Sequence, residues 1–339
     1  MMNLRVREAD PCKERDPLLK ILRNWLAPEI DEQRLDWLYF KNPHGNARIW
    51  VLEDAEGMVG AGAAIPRKLW FSGSQTVGCV FGDFCVSPSY RTIGPALQLQ
   101  RACLQAIDSG WSRLGYDLPS ASMMAVYRRL GIREARSFVR MAKPLRVDRQ
   151  VRERVKSGVL AKFVSRSGNA ALKARDQIRR VGRKLETTLY VQAFGEEFDE
   201  LFSELAPNTG NWCVERRSAY LNWRFREHPK SQFAVWTARR KDKLEAYCVA
   251  RTQDQEVQIV ELFGKDEYGV HENLLMTVIE SSRASGALTL SAPILSGHPR
   301  QARLEALGFH AREASPVVVY EKGSSGVSPA WLTEGDRDS

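Results

Sequence analysis

The stretch from Gly82 to Ala96, which reads GDFCVSPSYRTIGPA, decides the fold expected for this chain. Its first residues continue an apolar run that is typical of a buried strand, and Ser87, Pro88 and Ser89 end that strand in a tight turn. The apolar residues that follow have helical spacing: Leu97, Leu99, Cys103, Leu104 and Ile107. The stretch therefore predicts a strand, a turn and the start of a helix.

The turn carries the pattern R-x-x-G-x-A, from Arg91 to Ala96, directly before the helix. The main-chain N–H groups of such a loop and the dipole of the helix converge at one point, where a pyrophosphate can bind. Gly94 lets the chain approach a ligand closely, and Pro95 is tolerated because the first N–H groups of a helix have no partner within it. The loop is therefore a candidate phosphate-binding site.

The longer string V-x-P-x-x-R-x-x-G-x-A resembles the acyl-CoA loop of the GNAT acyltransferase superfamily. A second segment, Tyr127-Arg-Arg-Leu-Gly131-Ile132, resembles the Y-x-x-L-G-F/I element that follows the next strand in that family. The resemblance implies a mixed α/β (α+β) fold of the GNAT type, with acetyl-CoA or another acyl-CoA as cosubstrate. Ile93 stands where family members usually carry Lys or Arg, and Pro95 removes one potential phosphate-binding amide. These departures predict either a modest CoA affinity or a different acyl donor.

The resemblance also assigns roles to residues. The cofactor contacts that it implies are Phe84, Cys85, Val86, Arg91, Thr92, Ile93, Gly94, Pro95 and Ala96. It implies that the Val86 N–H polarises the thioester carbonyl and that the Tyr127 hydroxyl protonates the leaving thiolate. Asp83, on the strand expected to face the acyl group, is the candidate base for the amine proton, directly or through water; Gly82 stands where a glutamate is usual. Two alternatives stay open. The alternative for Tyr127 is a core tyrosine, and the alternative for Asp83 is a carboxylate bound by neighbouring main chain.

Length and composition are those of a globular protein, and 339 residues are enough for two domains. The six cysteines have neither the spacing of a metal site nor the density of a disulfide scaffold, and the five histidines are scattered. We therefore expect reduced thiols and no metal. The sequence contains no run of eighteen apolar residues and begins without an apolar signal core, which predicts a cytoplasmic protein.

The second half of the sequence repeats the first at an offset of 186. The matching pairs are Leu35 and Leu221, Trp37 and Trp223, Tyr39 and Phe225, Pro43 and Pro229, Ile49 and Val235, and Trp50 and Trp236. At Gly131 and Gly308 the offset is 177, so the second copy has lost nine residues. The expected place of the loss is the cofactor loop, because ELFGKDEYGVHE has no R-x-x-G-x-A, and Leu304 stands in place of Tyr127. Two GNAT folds in tandem, the second catalytically silent, are therefore expected.

A basic segment lies between the two copies. Residues 146–184 hold thirteen Lys or Arg against three acids, a net charge of +10, whereas the whole chain carries +9. Apolar residues recur every fourth position, namely Val147, Val151, Val155, Val159 and Phe163, and a second run follows SRSGN. This pattern predicts a basic amphipathic helical hairpin over residues 146–185. It is either a solvated brace between the domains or a patch for anionic membrane; nucleic acid is disfavoured because only Phe163 interleaves with the charge.

The expected domains are a catalytic GNAT domain that binds acyl-CoA (1–145), a basic amphipathic helical linker (146–189), a degenerate second GNAT domain (190–322) and a flexible acidic tail (323–339). The tail ends in W-L-T-E-G-D-x-D. This ending resembles that of tandem GNAT proteins associated with bacterial exopolysaccharide and capsule biosynthesis. So does the N-terminal pattern formed by Trp37, Tyr39, Asn42, Pro43 and Gly45.

The residues and the resemblance together predict an acyl-CoA-dependent N-acyltransferase, in the first place an N-acetyltransferase. The expected acceptor is a small-molecule amine or a sugar-linked amine of polysaccharide biosynthesis. One alternative is transfer from aminoacyl-tRNA, as in the peptidoglycan-bridge aminoacyl transferases, although the CoA-type loop argues against it. Another is a non-enzymatic CoA-binding or scaffold protein. The expected location is cytoplasmic, and peripheral contact with the inner face of the membrane through residues 146–185 stays open.

Overall fold

The computed structural model describes residues 4–71, 73–148, 158–178, 185–206, 212–265, 267, 269–323 and 329–337. The elements of the first half are β1 (Arg5–Ala9), α1 (Arg15–Trp25), α2 (Glu32–Tyr39), β2 (Arg48–Glu53), β3 (Met58–Phe71), β4 (Ser74–Val86), α3 (Ile93–Asp108), β5 (Leu114–Asp117), α4 (Ala121–Arg129) and β6 (Glu134–Pro144). A connecting helix, α5 (Gly158–Ile178), follows.

The elements of the second half are β7 (Glu186–Tyr190), α6 (Glu196–Leu205), β8 (Trp212–Val214), α7 (Ser218–Leu221), β9 (Ala234–Arg240), β10 (Lys243–Gln253), β11 (Glu256–Gly264), α8 (Val270–Ala284), β12 (Thr289–Leu295), α9 (Arg300–Ala306) and β13 (His310–Glu321). Helix α7 continues as a π-helical turn, Asn222–Arg226, and a last strand, β14 (Pro329–Trp331), follows β13. Apart from the addition of β8, the order of elements from β7 to β13 follows the order from β1 to β6.

The described strands form one mixed sheet in the order β1-β2-β3-β4-β5-β13-β6-β12-β11-β10-β9-β7, and β8 pairs with β3 and β14 off this path. Strand β6, the last of the first half, lies between β12 and β13. Strand β13, the last of the second half, lies between β5 and β6. The expected mixed α/β fold is confirmed. The halves nevertheless exchange their final strands, so the expected 1–145 domain has its last strand paired with the second half.

Local sequence explains where the helices on the first half begin. The Asp31 carboxylate accepts a hydrogen bond from the Arg34 N–H at 2.9 Å and so caps α2. Ser120 caps α4 in the same way, through the Met123 N–H at 3.3 Å. Helix α1 is amphipathic and buries four apolar side chains: Leu18, Leu19, Ile21 and Leu22.

The two halves meet in one hydrophobic core. Trp37 of α2 and Trp223 of the π-helical turn stack with their ring centroids 4.6 Å apart. Each indole N–H donates a hydrogen bond to the main-chain carbonyl of the other tryptophan, at 2.8 and 2.9 Å. Tyr116 and Trp212 belong to the same cluster, while separate clusters lie under α8 and α9 and under α3 and α4. The 186-residue repeat thus brings one of its pairs into direct contact.

The connecting segment is a single helix where the structure describes it, and the expected break at SRSGN is wrong, because residues 165–169 lie inside α5. Gly168 permits a close contact there: an added Cβ would lie 2.6 Å from Val147 Cγ2. Near the end of α5 the buried Asp176 pairs with Lys143 at 2.7 Å and Arg283 at 2.6 Å. The side chains of the expected apolar stripe from position 151 to 163 lie outside the described residues. No helix in the described ranges is long and apolar enough to cross a membrane.

The C-terminal segment 329–337 contacts both halves, and a flexible tail is therefore not what the structure gives for these residues. Leu332 and Asp336 are buried. The Asp336 carboxylate pairs with Arg216 at 2.6 Å, and its main-chain carbonyl accepts a hydrogen bond from the Tyr116 hydroxyl at 2.8 Å. The composition of the tail predicted flexibility, because the tail is rich in Gly, Ser, Pro and acidic residues. Composition does not show that one of these acids pairs with a buried arginine.

Candidate active site

A cleft opens where two parallel strands of the first half diverge. Strands β4 and β5 pair only at Cys79 with Gly115 and at Val80 with Tyr116. Beyond these pairs β4 carries a bulge, because its register with β3 shifts between Ala61 and Ala63. The result is a cavity of about 590 Å³ between the separated strands.

The walls of the cleft come from several elements of the first half. Strand β4 contributes residues 81–86, the loop and α3 contribute 91–93, Ala96 and Gln100, and the end of β5 contributes 117–120. Helix α4 adds Ser122, Met123 and Val126, and Trp25, Leu26 and Ala63 complete the lining. Of the residues expected to bind the cofactor, Phe84, Cys85, Val86, Arg91, Thr92, Ile93 and Ala96 are in the walls. Gly94 and Pro95 stand beside them, in the first turn of α3.

The loop between β4 and α3 is short and held at both ends. Residues Pro88–Tyr90 form one turn of 3-10 helix, and α3 begins after Thr92, whose backbone is extended. The Tyr90 hydroxyl donates to Asp54 at 2.5 Å, and this hydrogen bond raises the pKa of Tyr90. The first N–H groups of a helix have no carbonyl partner within the helix and attract anions. An added Cβ at Gly94 would meet nothing within 4 Å, so its surroundings are open to a ligand.

Main-chain groups of β4 face the cleft just before this loop. The Ser87 N–H donates to the Val59 carbonyl of β3 at 2.8 Å. Since neighbouring residues of a strand direct their main-chain groups to opposite edges, the Val86 N–H points toward β5 and the cleft. The Val86 carbonyl points the same way, because it accepts a hydrogen bond from Arg91 Nε at 3.1 Å. Arg91 thereby lies along the cleft mouth.

Asp83 occupies the bulge and lines the cleft. Its φ of 47° lies in the left-handed region, which Asp tolerates better than most residues do. The two Nη atoms of Arg34 donate to its carboxylate oxygens at 2.7 and 2.9 Å, and the Tyr39 hydroxyl donates to Oδ2 at 2.7 Å. Burial, and next the charge of Asp83, raise the pKa of Tyr39 well above its ordinary value. Asp83 is thus bound by two side chains of α2.

Tyr127 lies behind the cleft wall. Its side chain is buried, and its hydroxyl donates to Asp117 Oδ2 at 2.8 Å and accepts from Gln100 Nε2 at 3.1 Å. Burial, followed by the charge of Asp117, raises the pKa of Tyr127 well above its usual range. Because Asp117 and Gln100 both line the cleft, the hydroxyl is one hydrogen bond away from it.

Sequence reasoning missed four polar groups of this site: Arg34, Gln100, Asp117 and the hydroxyl of Tyr39. Arg34 is 49 positions from Asp83, and Gln100 is 27 from Tyr127, so no local pattern links them. The one available signal was Asp117, an acid at the end of an apolar strand that precedes a turn. Within the described ranges, no group of three or more His, Cys, Asp or Glu side chains could hold a metal ion.

The corresponding place in the second half, between β11 and β12, is covered by the C-terminal segment. Trp331 stacks on Phe263 with ring centroids 4.7 Å apart, and the Arg300 guanidinium lies 4.1 Å from its ring centroid. The Thr333 hydroxyl donates to Glu261 at 2.9 Å, and burial raises the pKa of that carboxyl. The space that remains is about 40 Å³. This gap is therefore much smaller than the cleft of the first half.

The sequence matches no protein-family model and no curated protein sequence. Solved structures do match over 94% of the chain. A GCN5-related N-acetyltransferase from Anabaena variabilis ATCC 29413 has a TM-score of 0.67 at 15% identity, with 72% of its own chain covered. A probable N-acyltransferase from Enterococcus faecalis V583 has a TM-score of 0.68 at 14% identity, with 73% covered.

A more distant match is the N-myristoyltransferase of Saccharomyces cerevisiae with bound myristoyl-CoA, at a TM-score of 0.58 and 9% identity, with 94% of this chain and 83% of that chain covered. At such identities the similarity concerns the fold. The chain therefore has the fold of the GCN5-related N-acetyltransferases, the GNAT fold, as the loop after β4 predicted.

Proposed function

We propose that the protein is an acyl-CoA-dependent N-acyltransferase whose donor site is the cleft between β4 and β5. The observation that carries this proposal is the arrangement around the divergence of the two strands. A main-chain N–H of β4 faces the cleft, an anion-attracting helix start borders its mouth, and a buried carboxylate stands at the bulge. These are the three groups that an acyl thioester and an amine need at one place.

In this proposal the pyrophosphate of CoA binds at the start of α3, beside Arg91, and the pantetheine follows β4. The Val86 N–H donates to the thioester carbonyl as it becomes an oxyanion. Asp83 takes the proton of the attacking amine, directly or through water. Tyr127 protonates the departing thiolate; since its hydroxyl is bonded to Asp117, that step requires the bond to Asp117 to yield. Nitrogen gains the acyl group, the C–S bond breaks, and CoA leaves as the thiol.

We assign the acceptor to a place beside Asp83, with Trp25 and Leu26, which also line the cleft, as its neighbours. An amino sugar or sugar-linked amine, with acetyl as the acyl group, is the acceptor that the sequence resemblance favours. The chain is then a tandem of two GNAT units. The parallel order of elements and the Trp37–Trp223 contact support this duplication. The second unit is silent, because it lacks the R-x-x-G-x-A loop and its gap is covered by residues 331–333.

The test is CoA release from a panel of acyl-CoA donors with simple amines and amino sugars, combined with calorimetry of CoA binding. The expected result is amine-dependent release and one CoA bound per chain. Arg91→Glu should weaken CoA binding strongly, since it sets a negative charge beside the pyrophosphate. Arg101→Glu, an exposed site on the same helix, is the matched control and should bind CoA as the parent does.

The outcomes separate this proposal from its alternatives. Two CoA equivalents, or parental affinity in Arg91→Glu, would overturn the site assignment. CoA binding without release to any amine would favour a CoA-binding scaffold. Transfer from aminoacyl-tRNA, with no response to acyl-CoA, would favour the peptidoglycan-bridge type of transferase.

A further inference from the structure

The proposed reaction does not by itself explain the side chains that surround and bind Asp83. Its side chain is 1% exposed, yet it forms part of the cleft wall. Arg34 binds both of its oxygens and Tyr39 binds one of them, and both partners belong to α2. A bidentate guanidinium fixes the plane of a carboxylate as well as its position. Helix α2 therefore determines where this carboxylate points.

Helix α2 is in turn held by the second half of the chain. The Asp31 carboxylate that caps the Arg34 N–H is also paired with Lys230. Trp37, in the middle of the helix, exchanges two hydrogen bonds with Trp223 and stacks on it. The second half thus fixes α2 through Lys230 and Trp223, which both precede β9 and neither of which lines the cleft of the first half.

We propose that Arg34 and Tyr39 are positioning residues for Asp83, and that the second half serves the reaction by fixing the helix that carries them. This inference rests on the proposed acyl transfer at the β4–β5 cleft. A general base must lie within hydrogen-bond reach of the group that it deprotonates, about 2.6–3.2 Å between heavy atoms, or reach it through one water. A displacement of about 1 Å can cost on the order of 10²-fold in rate. A carboxylate on a bulge, without a bidentate partner, would populate several rotamers.

Single variants give the first test. Arg34→Gln is expected to lower kcat roughly 10- to 100-fold, the range that misplacement produces, while KM for the acyl-CoA stays near the parental value. Arg34→Lys keeps a cation but loses the bidentate fork, so it should recover part of the loss. Arg239→Gln is the matched control: both Nη atoms of Arg239 donate to Glu197 at 2.6 Å, away from the cleft and from α2, and its kcat should be parental.

A double-mutant cycle with Asp83→Asn separates positioning from a general structural role. If Arg34 acts through Asp83, Arg34→Gln should lower kcat little further once Asp83 is already Asn. Lys230→Gln should show a smaller loss that also disappears in that background. Should Arg34→Gln fail to fold, Tyr39→Phe, which removes one oxygen, completes the same cycle.

The two proposals fail in different ways. Additive losses in the cycle, or equal losses in Arg34→Gln and Arg239→Gln, would overturn the positioning role in an enzyme that still transfers acyl groups. A parent that releases no CoA to any amine would overturn the acyl transfer, and the positioning role with it.

Discussion

Asp336 gives the sharpest test of how the C-terminal segment stabilises the protein. Its side chain and that of Arg216 are both 0% exposed, and Oδ2 lies 2.6 Å from Arg216 Nη2. The same oxygen accepts a hydrogen bond from the Thr333 N–H at 2.8 Å. The neighbouring acid, Glu261, lies 3.3 Å from Arg216 Nε, and burial raises its pKa. Removal of the Asp336 carboxylate would therefore leave the buried Arg216 guanidinium with only part of the negative charge that balances it.

Breaking a buried ion pair by removing one partner typically costs about 3–5 kcal/mol, because the remaining charge stays desolvated. We expect Asp336→Ala to lower the free energy of unfolding by about this amount, and Asp336→Asn by somewhat less, since the amide can still accept the Thr333 hydrogen bond. Urea denaturation, followed by circular dichroism and by tryptophan fluorescence, measures the loss.

Glu267→Gln is the matched control in the same half. Glu267 pairs with Arg240 at 3.2 Å, and the two side chains are 55% and 42% exposed. Exposed pairs of this kind contribute about 0–1 kcal/mol. The reasoning is refuted if Asp336→Ala loses no more than Glu267→Gln does, or if Trp331 fluorescence reports release of the segment while the rest of the protein keeps its parental stability.

Three further expectations can be checked separately. Tyr127→Phe should lower kcat by about 10² or more if the hydroxyl is the acid; an unchanged kcat would leave it a packing residue bonded to Asp117. Burial lowers the pKa of His44 to about 4, so only the unfolded chain binds this proton between pH 6.5 and 4. The contribution of His44 to the free energy of unfolding should therefore fall as the pH falls through that window, by up to about 1.4 kcal/mol per pH unit. His44→Asn should flatten this slope and the exposed His310→Asn should not; equal slopes would contradict the argument. Flotation with anionic vesicles should weaken with salt and with Arg166→Gln/Lys173→Gln if α5 contacts membrane; no flotation would leave α5 a brace.

The parts of the fold that could be predicted are those written locally. The strand, turn and helix start of residues 82–96 form as the apolar spacing and the turn residues indicate. The seven expected cofactor contacts that line the cleft are consecutive or nearly so, because a strand and the helix after it bring neighbouring residues to one place. The roles of Asp83 and Tyr127 stay predictions, although the structure identifies the groups that would restrain each of them.

The parts that could not be predicted depend on distant pairings. The local sequence does not show whether the last strand of a half pairs within that half or with the other one. Here Val318 of β13 pairs with Asp117 of β5, about two hundred residues away in the chain. The break expected at SRSGN was wrong because glycine is a helix breaker only when nothing else stabilises the helix. Here Gly168 meets Val147, and the Asn169 side chain bonds to Asp148 at 3.0 Å.

The exchange of β6 and β13 explains how the second half, which lacks the R-x-x-G-x-A loop, supports the cleft of the first half. Strand β5, whose end supplies Asp117 and one wall of the cleft, has β4 on one side only as far as Val80, and β13 on the other side along its whole length. Where β4 diverges from β5 to open the cleft, β5 has no partner strand from the first half. The strand that pairs with β5 over its whole length comes from the second half. On the opposite wall, the Trp37–Trp223 contact and Lys230 hold the helix that binds Asp83. Both carboxylates of the cleft thus depend on the second half for their place, and a chain cut after residue 145 would lose the support of both at once.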